Sequence, residues 1–315
     1  MQRPDFLRAS AAAAAAALIP RVARADESAI RVGALQWDTA AEVYFADGGG
    51  FFKKAGLNVD IQPFTSGSAA LAALFGGSLD IANTDVVSAA TAHSRGLPVT
   101  YLSPGCVFTR AAQASSLMVL ATSSIRGAKD LNGKSIATNG LKNIVQIPTL
   151  AWIDNNGGDS KSVKFVEVPV PLMASAVEDG RIDAAVISEP FITDTQNGKF
   201  RIISIADNNV APAFLYSGCA STNDWVTKNV DVAKRFVAAM AETAQWSNAN
   251  HALTAPILSR ISKVPLDVTL KMSRVYFGEK FIPGQVQPVI DACAKYGAIP
   301  SPFPAADLIN AVALK

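Results

Sequence analysis

The chain has 315 residues, half of them apolar and 17% charged, with a net charge of +2. That length allows about two domains with a sizeable core, and so apolar a composition excludes a disordered chain. The body has no clustered Lys/Arg patch, which excludes nucleic acid as the main partner.

The first 25 residues read as an export signal. Arg3 and Arg8 give a positive start, Ala9–Ile19 is a short apolar stretch, and Ala23-Arg24-Ala25 is an A-x-A cleavage site. Arg3-Pro4-Asp5-Phe6-Leu7-Arg8 resembles a twin-arginine signal but carries Pro4 where the second arginine belongs. No lipobox cysteine follows the apolar stretch, so no lipid anchor is expected. Beyond this segment 24 basic and 25 acidic residues remain, and no run of about 18 apolar residues occurs, so the body is not expected to span a membrane.

From residue 26 short strands alternate with helices. Ile30–Leu35, Asn58–Pro63, Asp80–Asn83 and Val99–Ser103 are predicted strands; Ala41–Ala55, Ser68–Phe75 and Val86–Arg95 are predicted helices. The alternation returns with strands at Ser135–Thr138, Val163–Glu167 and Ala184–Ser188, and helices at Ile144–Asn155, Leu172–Asp179 and Glu189–Asn197. It predicts an α/β architecture with parallel sheets. Gly77-Ser78-Leu79-Asp80-Ile81-Ala82 is echoed by Gly180-Arg181-Ile182-Asp183-Ala184-Ala185, an offset of 103 residues, and at that offset Gln36 falls on Asn139. The echo predicts two similar lobes. After a strand at Leu215–Ser221 the chain reads as helical, over Asp231–Asn250, Ala255–Ile261, Leu266–Phe277, Gln285–Tyr296 and Ala305–Ala313.

Ligands of open α/β sheets sit beyond the carboxyl ends of the strands. Those positions are Gln36, Trp37 and Asp38; Thr65, Ser66, Gly67 and Ser68; Asn83, Thr84 and Asp85; and, in the second lobe, Thr138, Asn139 and Ser188-Glu189. The loop at 65–68 opens a helix, whose free N–H groups suit an acceptor on a ligand, although Ser66 or Ser68 would cap that helix in any case. Trp37 offers a plate for stacking or for the core. Asp38, Asp85 and Glu189 can accept hydrogen bonds from a donor group; capping is the competing role for the last two. With Lys142 the only nearby cation, the set favours a ligand bearing donors and acceptors over a bare inorganic anion.

Catalytic and metal sites are not expected. The two histidines, His93 and His251, stand far apart, and Cys106, Cys219 and Cys293 fit no zinc spacing. A Cys106–Cys219 bridge stays open as one reading; buried free thiols are the other.

Several phrases occur in order along residues 30–260: Gly50-Phe51-Phe52-Lys53-Lys54-Ala55-Gly56-Leu57, Phe64-Thr65-Ser66-Gly67-Ser68, Asp130-Leu131-Asn132-Gly133-Lys134, Ser188-Glu189-Pro190-Phe191 and the stretch Asn229–Phe236. In this the chain resembles the solute-binding proteins of ABC importers for nitrate, alkanesulfonates, taurine and thiamine-related pyrimidines. The resemblance implies a two-lobed type II periplasmic-binding fold, each lobe a mixed, mostly parallel sheet flanked by helices. Lobe one would be 26–122 plus 218–315 and lobe two 123–217, with hinges flanked by Ile125–Lys134 and Leu215–Thr222. It further implies a periplasmic monomer that holds a sulfonate-, pyrimidine- or carboxylate-like molecule between the lobes, hands it to an ABC permease, and needs no cofactor. The alternatives are an enzyme of pyrimidine or thiamine-precursor chemistry on the same fold, and a sensing lobe for a membrane receptor.

Overall fold

The computed structural model describes residues 29–195 and 198–314. The expected signal segment, 1–25, and the last two residues of the predicted helix 189–197 lie outside them.

The first described strand is β1 (Ile30–Leu35), whose residues are all buried except the half-buried Arg31. The helix expected over 41–55 is two pieces, α1 (Glu42–Gly48) and α2 (Phe51–Lys54), broken at Gly49-Gly50. Next come β2 (Val59–Phe64), α3 (Gly67–Phe75), β3 (Ile81–Asp85), α4 (Val86–Ser94) and β4 (Val99–Pro104). β1 pairs in parallel with both β2 and β3, in the register Leu35↔Phe64 and Val32↔Ile81.

The chain then leaves this sheet through β5 (Cys106–Thr109) and reaches β6 (Ser115–Leu120). The second unit adds β7 (Ser135–Thr138), α5 (Gln146–Asn155), β8 (Lys164–Glu167), α6 (Val170–Glu178), β9 (Ala184–Ser188), α7 (Phe191–Thr195) and β10 (Phe200–Ser204). Its sheet runs β10-β6-β9-β7-β8. The boundary expected at residue 122 would leave β6 with the first lobe. Instead β6 pairs antiparallel with β9 and β10, so the chain has entered the second sheet by Ser115. The first crossing is therefore β5, not a segment beside Ile125–Lys134.

The return crossing is β11 (Ala213–Leu215), laid antiparallel against β5, with the Phe108 and Phe214 rings 4.9 Å apart. β12 (Ser217–Thr222) rejoins the first sheet, whose order is β2-β1-β3-β12-β4. The C-terminal part consists of α8 (Asn223–Lys228), α9 (Val230–Ala249), α10 (His251–Ser262), α11 (Leu266–Lys271), β13 (Tyr276–Phe277) and α12 (Pro283–Lys295). Phe236 of α9 stacks on Phe52 of α2 at 5.5 Å, fastening this helical part to the first lobe. The helix expected over 266–277 stops at Lys271; the chain then extends, and β13 joins β5 at the edge of the crossing pair. The stretch 305–313 forms two 3-10 turns rather than an α-helix.

The molecule is thus two lobes, each built on a five-stranded mixed sheet, joined by paired crossing strands. The 103-residue echo has a structural meaning. Gly77 and Gly180 both adopt left-handed backbone, at φ +74° and +68°, which glycine allows without Cβ strain. Three residues on, Asp80 and Asp183 each accept the backbone N–H of a residue on the neighbouring strand: Arg31 for Asp80 and Ser135 for Asp183, both at 2.9 Å. One device sets the start of the third parallel strand of each lobe, β3 and β9.

Candidate functional site

The carboxyl ends of the parallel strands of both sheets face a common cleft. Counted out to its open mouth the space between the walls is about 460 Å³, of which only about 30 Å³ is cavity proper in this closed arrangement. From the first lobe its wall takes Trp37 after β1, Gly67 opening α3, and Asn83 and Asp85 at the end of β3. The second lobe gives Asn139 and Asn143 from the β7–α5 loop and Ser188 at the end of β9. Tyr216 and Ser217, at the return into β12, close the back.

Each predicted residue has a definite place. Trp37, Gly67, Asp85 and Asn139 line the cleft. Gln36 is half-buried beside it, and Thr65 is exposed. Ser66 caps α3: its Oγ accepts the Ala69 N–H at 3.2 Å and lies 3.1 Å from Ser68 Oγ. Ser68 is exposed and turns to a surface groove between α3 and α4. Thr84 is fully buried behind Gly67, and a Cβ on Gly67 would stand 2.8 Å from its Oγ1. Thr138 is also buried, donating to the Gly140 carbonyl at 3.0 Å.

Two of the three carboxylates turn away from the cleft. Asp38 is completely buried and paired with Arg274, Oδ1 to NH2 at 3.0 Å, while its Oδ2 accepts the Val275 N–H at 3.0 Å. Arg274 in turn lies over the Phe45 ring. A fully desolvated ion pair with its remaining valences filled is an anchor for the extended segment after α11. Glu189 folds back on its own helix: Oε2 accepts the Thr193 N–H at 3.0 Å and Oε1 the Thr193 hydroxyl at 2.8 Å. Burial pushes the Glu189 carboxyl up to about 7; the Thr193 bonds oppose the shift and the Asp38 charge adds to it.

Asp85 accepts from three donors at once. It caps α4 through the Ser88 N–H (2.9 Å) and hydroxyl (2.6 Å), and its Oδ1 also accepts the Ile144 N–H of the second lobe at 3.2 Å. Burial raises its pKa, with those donors opposing. A second bridge joins the lobes through backbone, from Asp38 N–H to the Glu189 carbonyl at 3.0 Å. The cleft is therefore held shut from both sides.

Asn143, Tyr216 and Ser217 were not foreseen from sequence. Asn143 caps α5, its Oδ1 accepting the Val145 and Gln146 N–H groups at 3.2 Å each, while its Nδ2 donates to Asn139 at 2.9 Å. An Asn just ahead of an apolar helix was the signal available for it. Tyr216 and Ser217 follow the return crossing, and only the path of that crossing brings them to the cleft.

Some buried polar atoms here have no partner within the protein. Both side-chain atoms of Asn83 are unpaired, as is the Tyr216 hydroxyl; the nearby Ser115 hydroxyl donates instead to Asp207 at 2.9 Å. Each such group costs about 1–3 kcal/mol if nothing fills it. Deeper in the first lobe, both Glu42 oxygens and the Ser103 hydroxyl are likewise unpaired, and burial alone drives the Glu42 pKa well up.

Among the described residues no group of three or more His, Cys, Asp or Glu side chains could hold a metal ion. All three cysteines are buried and free, so the Cys106–Cys219 bridge is not formed. Burial pushes the Cys219 and Cys293 thiols up to about 12, which suppresses the nucleophilic thiolate. No helix among the described residues is long and apolar enough to cross a membrane.

Comparison with known proteins agrees with this geometry. A family model described as NMT1/THI5 like matches residues 37–252. A Brucella abortus (strain 2308) protein, provisionally named a binding protein, is 25% identical over 278 residues, covering 84% of this chain and 80% of that one. The alkanesulfonate-binding protein SsuA of Xanthomonas axonopodis pv. citri, solved with MOPS bound, superposes with a TM-score of 0.75. It is 16% identical, and the match covers 91% of this chain and 99% of that chain. The periplasmic nitrate-binding protein NrtA of Synechocystis PCC 6803 gives a TM-score of 0.75 at 17% identity, over 90% of this chain and 86% of its own. At those identities the two structures speak for the fold.

Proposed function

The chain belongs to the NMT1/THI5-like family, and on that premise we propose that it is the exported solute-binding component of an ABC importer. It captures a small polar organic molecule between its lobes in the periplasm and delivers it, chemically unchanged, to a membrane permease. The observation that carries this reading is the cleft: strand ends, helix starts and loops of two separate sheets supply one wall each. The hinge is the β5/β11 pair, where few residues need to rotate for the lobes to part. A lobe-to-lobe bond such as Asp85 to Ile144 closes without ligand chemistry, so the ligand has only to add the remaining contacts. The known cargoes of the structural relatives, alkanesulfonate and nitrate, set the range of molecules to try first.

A ligand that binds only the folded protein stabilises it by about 2.7 kcal/mol at a hundredfold excess over Kd. A thermal-shift screen over alkanesulfonates, nitrate, pyrimidines, aromatic carboxylates, aromatic amides and amines is expected to give a clear rise in Tm for one class. Chromatography of the incubated compound is expected to recover it unaltered. Turnover of the stabilising compound would replace this reading with an enzymatic one.

A further inference from the structure

We infer that the cleft is built for an electrically neutral ligand with adjacent N–H and C=O groups, an amide-like edge read by Asn83. This rests on the solute-binding reading above and narrows it. Among the described residues no Lys, Arg or His lines the cleft. Arg274, a buried cation beside the end of β1, is consumed by Asp38. The one ionisable carboxyl on the wall, Asp85, already accepts from Ser88 and Ile144 and faces no counter-charge. An anion would enter a desolvated space beside that carboxyl with no cation to meet it, and a cation would find its oxygens already engaged.

Asn83 supplies the positive half of the argument. It is 1% exposed on the cleft wall, and neither its carbonyl oxygen nor its amino group has a hydrogen-bond partner. The Cys219 thiol lies beside it on the adjacent strand, but a thiol is too weak a donor and acceptor to take the place of an amide partner. One donor and one acceptor side by side in a plane match the complementary pair on a carboxamide, lactam or pyridone. The unpaired Tyr216 hydroxyl offers a further contact, and Trp37 offers a face for a planar ring. The alkanesulfonate and nitrate proteins that share the fold are named for anions; this chain has the same architecture without a cation at the site.

The test is calorimetric titration with three probes of one shape and different charge: benzamide, benzoate and benzylamine, with 2-pyridone as a second amide edge. Benzamide or 2-pyridone is expected to bind at least tenfold more tightly than benzoate and benzylamine. Asn83→Leu and Asn83→Asp are each expected to lose at least tenfold of that affinity; two variants are used so that one that folds poorly does not decide the matter. Benzoate equal to or tighter than benzamide would overturn the inference, as would amide binding indifferent to both variants, or silence from both amide probes. If nitrate or an alkanesulfonate binds while the amides stay silent, the charge assignment falls and solute capture stands.

Discussion

At the scale of single residues, the strand-end rule leads to the cleft wall but does not tell which of two neighbouring side chains faces it. Trp37, Asp85 and Asn139 are on the cleft wall, whereas Asp38 and Glu189, one residue from Trp37 and Ser188, turn elsewhere. Which neighbour of a pair faces the ligand depends on partners far along the chain. Arg274 stands 236 residues after the carboxylate it claims, so no local pattern announces the pair. Glu189 leads to a measurable effect. In the unfolded chain it ionises near its ordinary value of 4.5, and in the fold it holds its proton to about 7. Below 4.5 both states are protonated and the group adds no pH dependence. Between 4.5 and 7 only the unfolded chain releases the proton, so stability falls as pH rises, by about 2–3 kcal/mol over the window. Urea melts at pH 4.5 and 7.5 are expected to show that loss for the wild type relative to Glu189→Gln, after other titrations common to both proteins cancel. Parallel curves would place Glu189 in solvent-like surroundings.

At the scale of elements, the strands of both parallel cores were legible because buried apolar runs alternate with helices. The repeated Gly-x-[Leu/Ile]-Asp step was legible because the same backbone problem, leaving a helix and entering a buried strand, has the same solution twice. β6 was not legible: its partners β9 and β10 lie more than 60 residues further on, and its sheet membership is fixed only by that pairing. The short crossing strands β5 and β11, four and three residues long, carry too little periodicity to announce themselves. The junction of α3 with β3 is where element geometry meets the site. A Cβ at Gly67 would lie 2.8 Å from Thr84 Oγ1 and 3.0 Å from both the backbone nitrogen and Oδ2 of Asp85. Gly67→Ala is therefore expected to push the start of α3 away from β3, weakening binding of the screened ligand at least tenfold with a Tm loss of only a few degrees. Unchanged affinity would mean that this wall does not touch the ligand.

At the scale of the whole molecule, function follows from having two similar bodies and little between them. The cleft wall is divided between lobes, so its completed form exists only when they meet, and the β5/β11 pair is the tie about which they would part in the proposed closure. Direct bridges, Asp85 to Ile144 and Asp38 to Glu189, hold the closed arrangement described here. A ligand need shift the balance between open and closed forms only by its preference for the closed one. The most direct test of this account is a spin-label distance measurement between Asp60, exposed on β2, and Lys164, exposed on β8, each replaced by a labelled cysteine. With the strongest compound from the thermal screen at saturation, the account predicts one short, narrow distance matching the closed cleft, and a longer or broader distribution without it. Identical distributions with and without bound ligand would contradict capture by closure.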